Sequence, residues 1–416
     1  MSDLIITNLS ELATPTGSTP RRGRQQASIK RYARAAVWCR GGRIAFVGSA
    51  EELSARFGPQ AEIPRLDGNG GTLIPGLVDP HTHLPWAGSR EHEFAQRLCG
   101  KSYQDIAASG GGILATVRAT RDADEEELVK LVSKRLDRML ELGTTTAEAK
   151  SGYGLNLDDE LKQLRAIRAA SSEHPVDLVA TLLAAHETPP EYLDRRGYYL
   201  DLICKEIVPR VAEEKLAVFS DVFCEQGIFS LEESRRVLEA GAEYGLAPRL
   251  HADEFVDSGG ARLAAELGAL SADHLIAVSD AGIEALAESG VTAVLLPGTS
   301  FFLMRHNYAP ARRLIEAGVP IALATDCNPG SSHTESMPMV LALAVFELGL
   351  SVEEALTAAT LNAACCLGLG DEIGSIEVGK RADLVLLDAP NAFHLAYHYG
   401  VNLISAVVKN GMVVKQ

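Results

Sequence analysis

Two histidines one residue apart, His81 and His83, stand in the run Asp79-Pro80-His81-Thr82-His83, which follows an apolar segment beginning at Leu77. Alternate side chains of an extended strand point to the same side, so both imidazoles can face one cation. Two neutral imidazoles suit zinc, or iron in its place. Alone, such a pair fits a solvated strand face equally well, and the choice rests on what converges with it. His186, His251, His274 and Asp326 each stand at or near the end of another short apolar run. His81, His83, His251 and Asp326 would hold a cation and leave a position for water, the arrangement of a hydrolytic site rather than a closed structural one. An ion so held acidifies its water and polarises the carbonyl under attack. Glu254, three residues after His251, can carry the proton from water to a leaving nitrogen, with Asp326 as the alternative base. His274 can stabilise the oxyanion. Asp253 reads as a surface carboxylate favoured early in a helix.

Converging these residues requires particular elements. Between about residues 73 and 369, short apolar runs alternate with helical periods, the rhythm of βα units and a parallel sheet. The spacing predicts eight strands, over 77–83, 144–149, 178–185, 218–224, 248–251, 271–275, 292–296 and 320–325. Eight such units match a (β/α)8 TIM barrel, whose strand ends meet on one rim and carry its active sites. Both chain ends read as antiparallel β, including the hairpin signal Asn410-Gly411. The expected organisation is an α/β chain in which residues 1–72 and 371–416 form a small composite β-sandwich domain and residues 73–370 form the barrel.

With 39 Lys plus Arg against 55 Asp plus Glu, the net charge is −16. That argues against nucleic acid or an anionic membrane as partner. The basic run Arg21-Arg22-Gly23-Arg24 lies in a Thr/Ser/Gly/Pro-rich stretch from Thr14 to Ser28 and reads as a flexible surface loop. Seven scattered cysteines make no disulfide framework, which suits a cytosolic home. No secretory signal opens the chain, and the apolar run 337–346, broken by Pro338, is too short to span a bilayer. Residues 374–380 have the spacing of a phosphate loop, but Arg381 replaces the needed Ser/Thr and a strand follows, so nucleotide binding is rejected there.

The run from Leu73 to His83 resembles the opening signature of the amidohydrolase superfamily, and Gly374 to Val385 resembles its closing signature. Within it, Trp86–Arg90, Ser109–Ile113, Glu148–Gly154, His251–Glu254 and Thr325–Ser331 resemble the imidazolonepropionase family. The similarity spans nearly the whole chain. It implies hydrolysis of the ring C–N bond of 4-imidazolone-5-propanoate to N-formimidoyl-L-glutamate in histidine degradation, with one zinc or iron ion per subunit of a cytoplasmic homodimer. For a substrate with a carboxylate tail and a flat ring, it assigns Arg90 to the carboxylate, which a guanidinium grips through two parallel hydrogen bonds. Tyr153, and Tyr103 as a weaker candidate, would contact ring atoms or carboxylate; His186 and Glu254 would bind the substrate; Asn328, Gly330 and Ser331 would offer donors from the last loop.

Two alternatives stand beside this reading. A deaminase of a nucleobase-like heterocycle also combines a strand-end histidine with a glutamate three residues on. An inactive scaffold relative would lack ligands, and none is missing. Relatives with two metals carry a carboxylated lysine on the fourth strand; Asp221–Glu225 has none, which favours one metal, although Glu225 leaves a bridging role open.

Overall fold

The structure, a computed structural model, describes residues 3–58, 62–101, 105–106 and 110–416. Tyr103 and Ser109 lie outside the described residues. The N-terminal strands are β1 (Leu4–Thr7), β2 (Glu11–Thr14), β3 (Lys30–Ala33), β4 (Ala35–Arg40), β5 (Arg43–Ser49), β6 (Arg65–Asp67) and β7 (Thr72–Pro75). Then come β8 (Leu77–Asp79), β9 (Thr144–Lys150), β10 (Asp177–Ala185), β11 (Phe219–Cys224), β12 (Ala247–Ala252), β13 (Ser271–His274), β14 (Thr292–Leu295) and β15 (Ile321–Leu323). The chain closes with β16 (Leu384–Leu387), β17 (Ile404–Lys409) and β18 (Met412–Lys415).

Strands β8 to β15 form one parallel sheet in sequential order, with helices between them, as the alternating rhythm predicts. An example is Glu125–Glu141, which Asp124 caps by accepting the Glu127 amide. Three glutamates in its first turn and Arg138 in its last complement the helix dipole. Its buried face is Leu128, Val132, Leu136, Met139 and Leu140, a helical spacing turned to the sheet.

The first strand stops four residues sooner than expected, at Asp79, because Pro80 has no N–H to continue the ladder. The chain beyond it instead closes the barrel. Thr325 donates its N–H (3.1 Å) and hydroxyl (2.5 Å) to the Asp79 carboxylate. Asp326 N–H donates to the His81 carbonyl at 3.1 Å, and His83 N–H to the Cys327 carbonyl at 3.0 Å. His81 and His83 therefore sit on the seam between the first and last strands.

The two chain ends build a pair of sheets, β5-β4-β1-β6 and β18-β17-β16-β7-β2-β3. Leu4, Ile6, Val37 and Ile44 of the first pack against Leu12, Leu73, Leu384, Leu386 and Val408 of the second. The period-two alternation sends Ile5, Ala36, Trp38 and Phe46 to the opposite face, where Leu53 of the helix Ala50–Phe57 covers them. Residues 73–75, read from the sequence as the start of the barrel, belong to this sandwich, since β7 pairs with β16 and β2. The chain changes sheets at Gly76, where a Cβ would lie 2.3 Å from the Thr145 hydroxyl.

The basic stretch is not a free loop. Gln26 is fully buried, donates to the Glu354 carbonyl and accepts the Ile321 N–H. Arg21 and Asn362 exchange two hydrogen bonds, at 2.7 and 2.9 Å. Composition marked this stretch as mobile, but Gln26 and the Arg21 backbone tie it to the barrel, while Arg22 and Arg24 stay exposed. The apolar run that resembled a short membrane candidate is the buried helix Met337–Phe346, with Pro338 in its first turn. No described helix is long and apolar enough to cross a membrane, and all seven cysteines are free thiols.

Candidate active site

The four residues expected to hold a metal converge. Asp326 Oδ1 lies 3.5 Å from His81 Nε2 and 3.4 Å from His83 Nε2, and His83 Nε2 lies 3.5 Å from His251 Nε2. Ligand atoms around a tetrahedral zinc with bonds of roughly 2.1 Å stand about 3.4 Å apart, so these spacings match the edges of such a shell. His81 Nε2 is buried with no hydrogen-bond partner among the described residues, a costly condition that a cation relieves. The donor set fits a metal ion. His274 stands close enough to His81 and His251 to join a second ligand grouping.

The other ring nitrogens explain how the imidazoles are aimed. His81 Nδ1 is 2.6 Å from Asp273 Oδ2, and His251 Nδ1 is 3.1 Å from Asp221 Oδ1. A carboxylate on Nδ1 holds the proton there and turns the Nε2 lone pair to the ion. Burial and Lys150 oppose protonation of His81, yet the hydrogen bond of Nδ1 to Asp273 and the Asp326 carboxylate 3.5 Å from Nε2 prevail and raise its pKa to about 9. Cation binding must therefore displace a proton. Burial lowers His83 to about 4. For Asp326 burial is outweighed by the adjacent imidazoles of His81 and His83, which hold its carboxyl well below the usual range. Its other oxygen accepts the hydroxyls of Thr299 (2.7 Å) and Ser331 (3.3 Å).

Three of these strand ends carry backbone strain: Asp253, His274 and Asp326 have φ of 51°, 76° and 55°, a region that costs non-glycine residues energy and concentrates at functional sites. Asp253 is fully buried, not the expected surface carboxylate. It accepts the amides of Ser258, Gly260 and Ala261, each at 3.0 Å, and so fixes the turn that presents Glu254.

Around these residues lies a cleft lined by His83, Arg90, Tyr153, His186, His251, Glu254, His274, Asp326, Asn328 and Ser331. Ile113, Phe223, Phe255 and Leu303 supply its apolar wall. Glu254 Oε2 is 3.7 Å from His274 Nδ1. Burial first, and then the charge of Asp326, push the Glu254 carboxyl up to about 8. Burial keeps His186 and His274 neutral. His186 Nδ1 donates to the Gly152 carbonyl at 2.9 Å, leaving Nε2 as an acceptor.

Arg90 is paired through Nε and Nη2 with Glu93 Oε2, both at 2.8 Å. Glu93 Oε1 also accepts the Gly112 amide at 3.0 Å. Gly330 does not line the cleft: its N–H donates to Asn328 and its carbonyl accepts Arg97. A Cβ there would lie 2.0 Å from Arg90 Nη1, so the missing side chain is what lets the guanidinium in. Asn328 folds the loop internally, donating to the Asp326 carbonyl and accepting the amides of Gly330 and Ser331. Tyr153 rides a loop whose amides at Gly152, Gly154 and Leu155 are accepted by the buried Glu160. Glu225 accepts the amides of Gln226 and Phe255, and among the described residues it does not join the clusters formed by His81, His83, His251, His274 and Asp326.

Sequence reasoning missed Thr299, Asp221 and Asp273. For Asp221 and Asp273 a polar residue inside a strand that otherwise reads apolar is the one signal; Thr299 lies in the short helix Pro297–Phe302 and carries none.

The amidohydrolase family model matches residues 72–415. A protein named imidazolonepropionase from Geobacillus sp. (strain WCH70) is 51% identical, covering 100% of this chain and 98% of the relative. The chain belongs to the imidazolonepropionase family. Another member, from Symbiobacterium thermophilum, is 52% identical over 99% of this chain and 97% of its own. Solved structures extend the fold beyond this family. E. coli guanine deaminase superposes with a TM-score of 0.75 over 100% of both chains at 17% identity. The 5-methylcytosine deaminase from Klebsiella pneumoniae gives 0.75 at 18% identity, over 99% of this chain and 97% of its own. At such identities these structures attest the fold alone, whereas full-length identity near one half places this chain among the imidazolonepropionases.

Proposed function

We infer that the chain hydrolyses the cyclic amide C–N bond of 4-imidazolone-5-propanoate to N-formimidoyl-L-glutamate, a step of histidine degradation. The observation that carries this reading is one cleft in which His83, His251 and Asp326, three of the four residues suited to a metal, stand with a buried guanidinium and a neutral histidine acceptor. Those are the complements of a carboxylate tail and a ring N–H. His81, His83, His251 and Asp326 would hold one zinc or iron ion. When bound, that ion supplies a Lewis acid that acidifies water and polarises the ring carbonyl.

Each remaining step belongs to a side chain. Arg90, its plane fixed by Glu93, grips the carboxylate in a bidentate fashion. His186 Nε2 accepts a ring N–H, Tyr153 packs on the ring, and Asn328 and Ser331 close the cleft beside it. Tyr103 and Gly330 complete the substrate set, the latter by admitting Arg90. Glu254 takes a proton from the attacking water on its carboxylate and returns it to the ring nitrogen as the C–N bond breaks. His274 donates a hydrogen bond to the developing oxyanion. Glu254 and Asp326 have their pKa values pushed apart, and that separates proton carrier from ligand.

The reading extends to a cytoplasmic homodimer, which sedimentation and fractionation test, with residues 1–72 and 371–416, extended by β7 to residue 75, as one domain. The direct experiment uses freshly generated imidazolone propanoate and follows the loss of its ultraviolet absorbance. No turnover by metal-replete protein would overturn the assignment; ammonia release from guanine or cytosine instead would favour a deaminase.

A further inference from the structure

Beneath the metal centre lies a layer of charge that the reaction does not use. Glu148, Lys150, Asp221, Arg249 and Asp273 are all closed to solvent. Lys150 Nζ stands 2.7 Å from Glu148 Oε1, 2.7 Å from Asp221 Oδ2 and 3.9 Å from Asp273 Oδ2. Those two aspartates are the ones that hold His251 and His81. The same strand grips Thr82, the residue between the two histidines. Thr82 N–H donates to Glu148 Oε2 at 3.0 Å, its hydroxyl donates to the Glu148 carbonyl at 2.6 Å, and Lys150 N–H donates to the Thr82 carbonyl at 2.9 Å. Every polar atom of Thr82 is spent on β9.

A buried ammonium is tolerated only where carboxylates surround it, and the carboxylates are tolerated only because it is there. We propose that Lys150, together with Glu148, is a positioning residue that sets all three histidine ligands at once. The pair fixes the His81–His83 arm through Thr82, and it anchors the aspartates that aim His81 and His251. Arg249 on β12, 3.4 Å from Asp273 and 2.7 Å from the Pro80 carbonyl, braces the same layer. This inference rests on the metal centre of the proposed function and adds what holds that centre in shape before an ion arrives. Supporting contacts of this kind change metal affinity by roughly 10- to 100-fold.

The test compares wild type with Lys150→Met, with the double variant Glu148→Gln/Lys150→Met, and with Thr82→Val. The double variant removes the ion pair as a unit, and Thr82→Val loosens the clamp without touching a charge. Each protein is stripped of metal, checked by circular dichroism and titrated with zinc against a chromophoric chelator. The expected result is that the folded double variant binds zinc roughly 10- to 100-fold more weakly and that Thr82→Val shows a smaller loss in the same direction. Zinc affinity of the folded double variant within about twofold of wild type overturns the proposal, even if its melting temperature has dropped. If neither charge variant folds, Thr82→Val decides: unchanged affinity overturns the proposal. A wild-type chain that takes up no zinc or iron would instead defeat the metal-centre reading itself.

Discussion

A single added methyl group at Gly330 should displace Arg90, because its carbon would lie 2.0 Å from Nη1. The guanidinium can swing away only by breaking its pairing with Glu93. Gly330→Ala is therefore expected to raise KM by roughly 10- to 100-fold, the worth of a charge-assisted hydrogen bond of about 1.5–3 kcal/mol. Kcat and thermal stability should change far less, and an unchanged KM would contradict the role given to Arg90. Glu254→Gln should lower kcat roughly 100- to 10,000-fold while leaving metal content intact. Because Glu254 must be ionised to accept a proton and its pKa is raised to about 8, its active fraction grows as pH rises. The acid limb of kcat/KM should thus lie above the ordinary glutamate value of about 4.3, and a profile already flat at about pH 5 argues against Glu254 as the base. That His81, His83, His251, Asp326 and Glu254 would meet was legible in the sequence because each stands at or near the end of an apolar run and such residue types are rare there. Lys150 and Asp221 were in view as letters, yet apart from Glu148 on the strand of Lys150 itself their partners lie on other strands, a relation no spacing along one strand reveals.

Strands were the most legible elements, since each of the eight is a compact apolar run between helical periods. The exception is instructive. The run through His83 looks continuous, but Pro80 ends the ladder and hands barrel closure to Asp79, Thr325 and the backbone around Thr82. Burial raises the Asp79 pKa to about 7 despite the hydrogen bonds from Thr325. Its unfolded value is about 3.9, so between these limits the folded chain binds the extra proton. The stabilising contribution of this group is full below about pH 4 and is lost as pH climbs to 7. Asp79→Asn does not titrate. Its stability relative to wild type should improve from about pH 5 to about pH 8 in urea unfolding, and a pH-independent difference would count against this account.

At the scale of the molecule, a cluster of charge joins the barrel to the sandwich. Lys409 Nζ lies 2.8 Å from Asp177 on β10 and 2.7 Å from Asp383 at the edge of β16, with Arg381 2.7 Å from Asp177. Removing Lys409 leaves the buried Asp383 with Arg381 as its one cation, beside the Asn410 N–H that it accepts. Lys409→Met should cost about 3 kcal/mol in denaturant unfolding, while the folded protein keeps its kcat. That both ends would join in one β unit was legible from their matching alternation, but which strands meet was not. The basic stretch misled because composition reports the polarity of a segment and not the partners that absorb it.

The joining of both ends also sets an order of events during synthesis. β7 waits for β16, encoded more than three hundred residues later, to occupy its open edge, and the Ser10 hydroxyl waits for the carbonyl of Pro390. Until the ribosome has released almost the whole chain, the first sheet strands stand as an uncovered apolar ledge, the kind of surface on which nascent chains stick to one another. The sandwich is thus the last part of the molecule to close, and yield should fall first when translation outruns release.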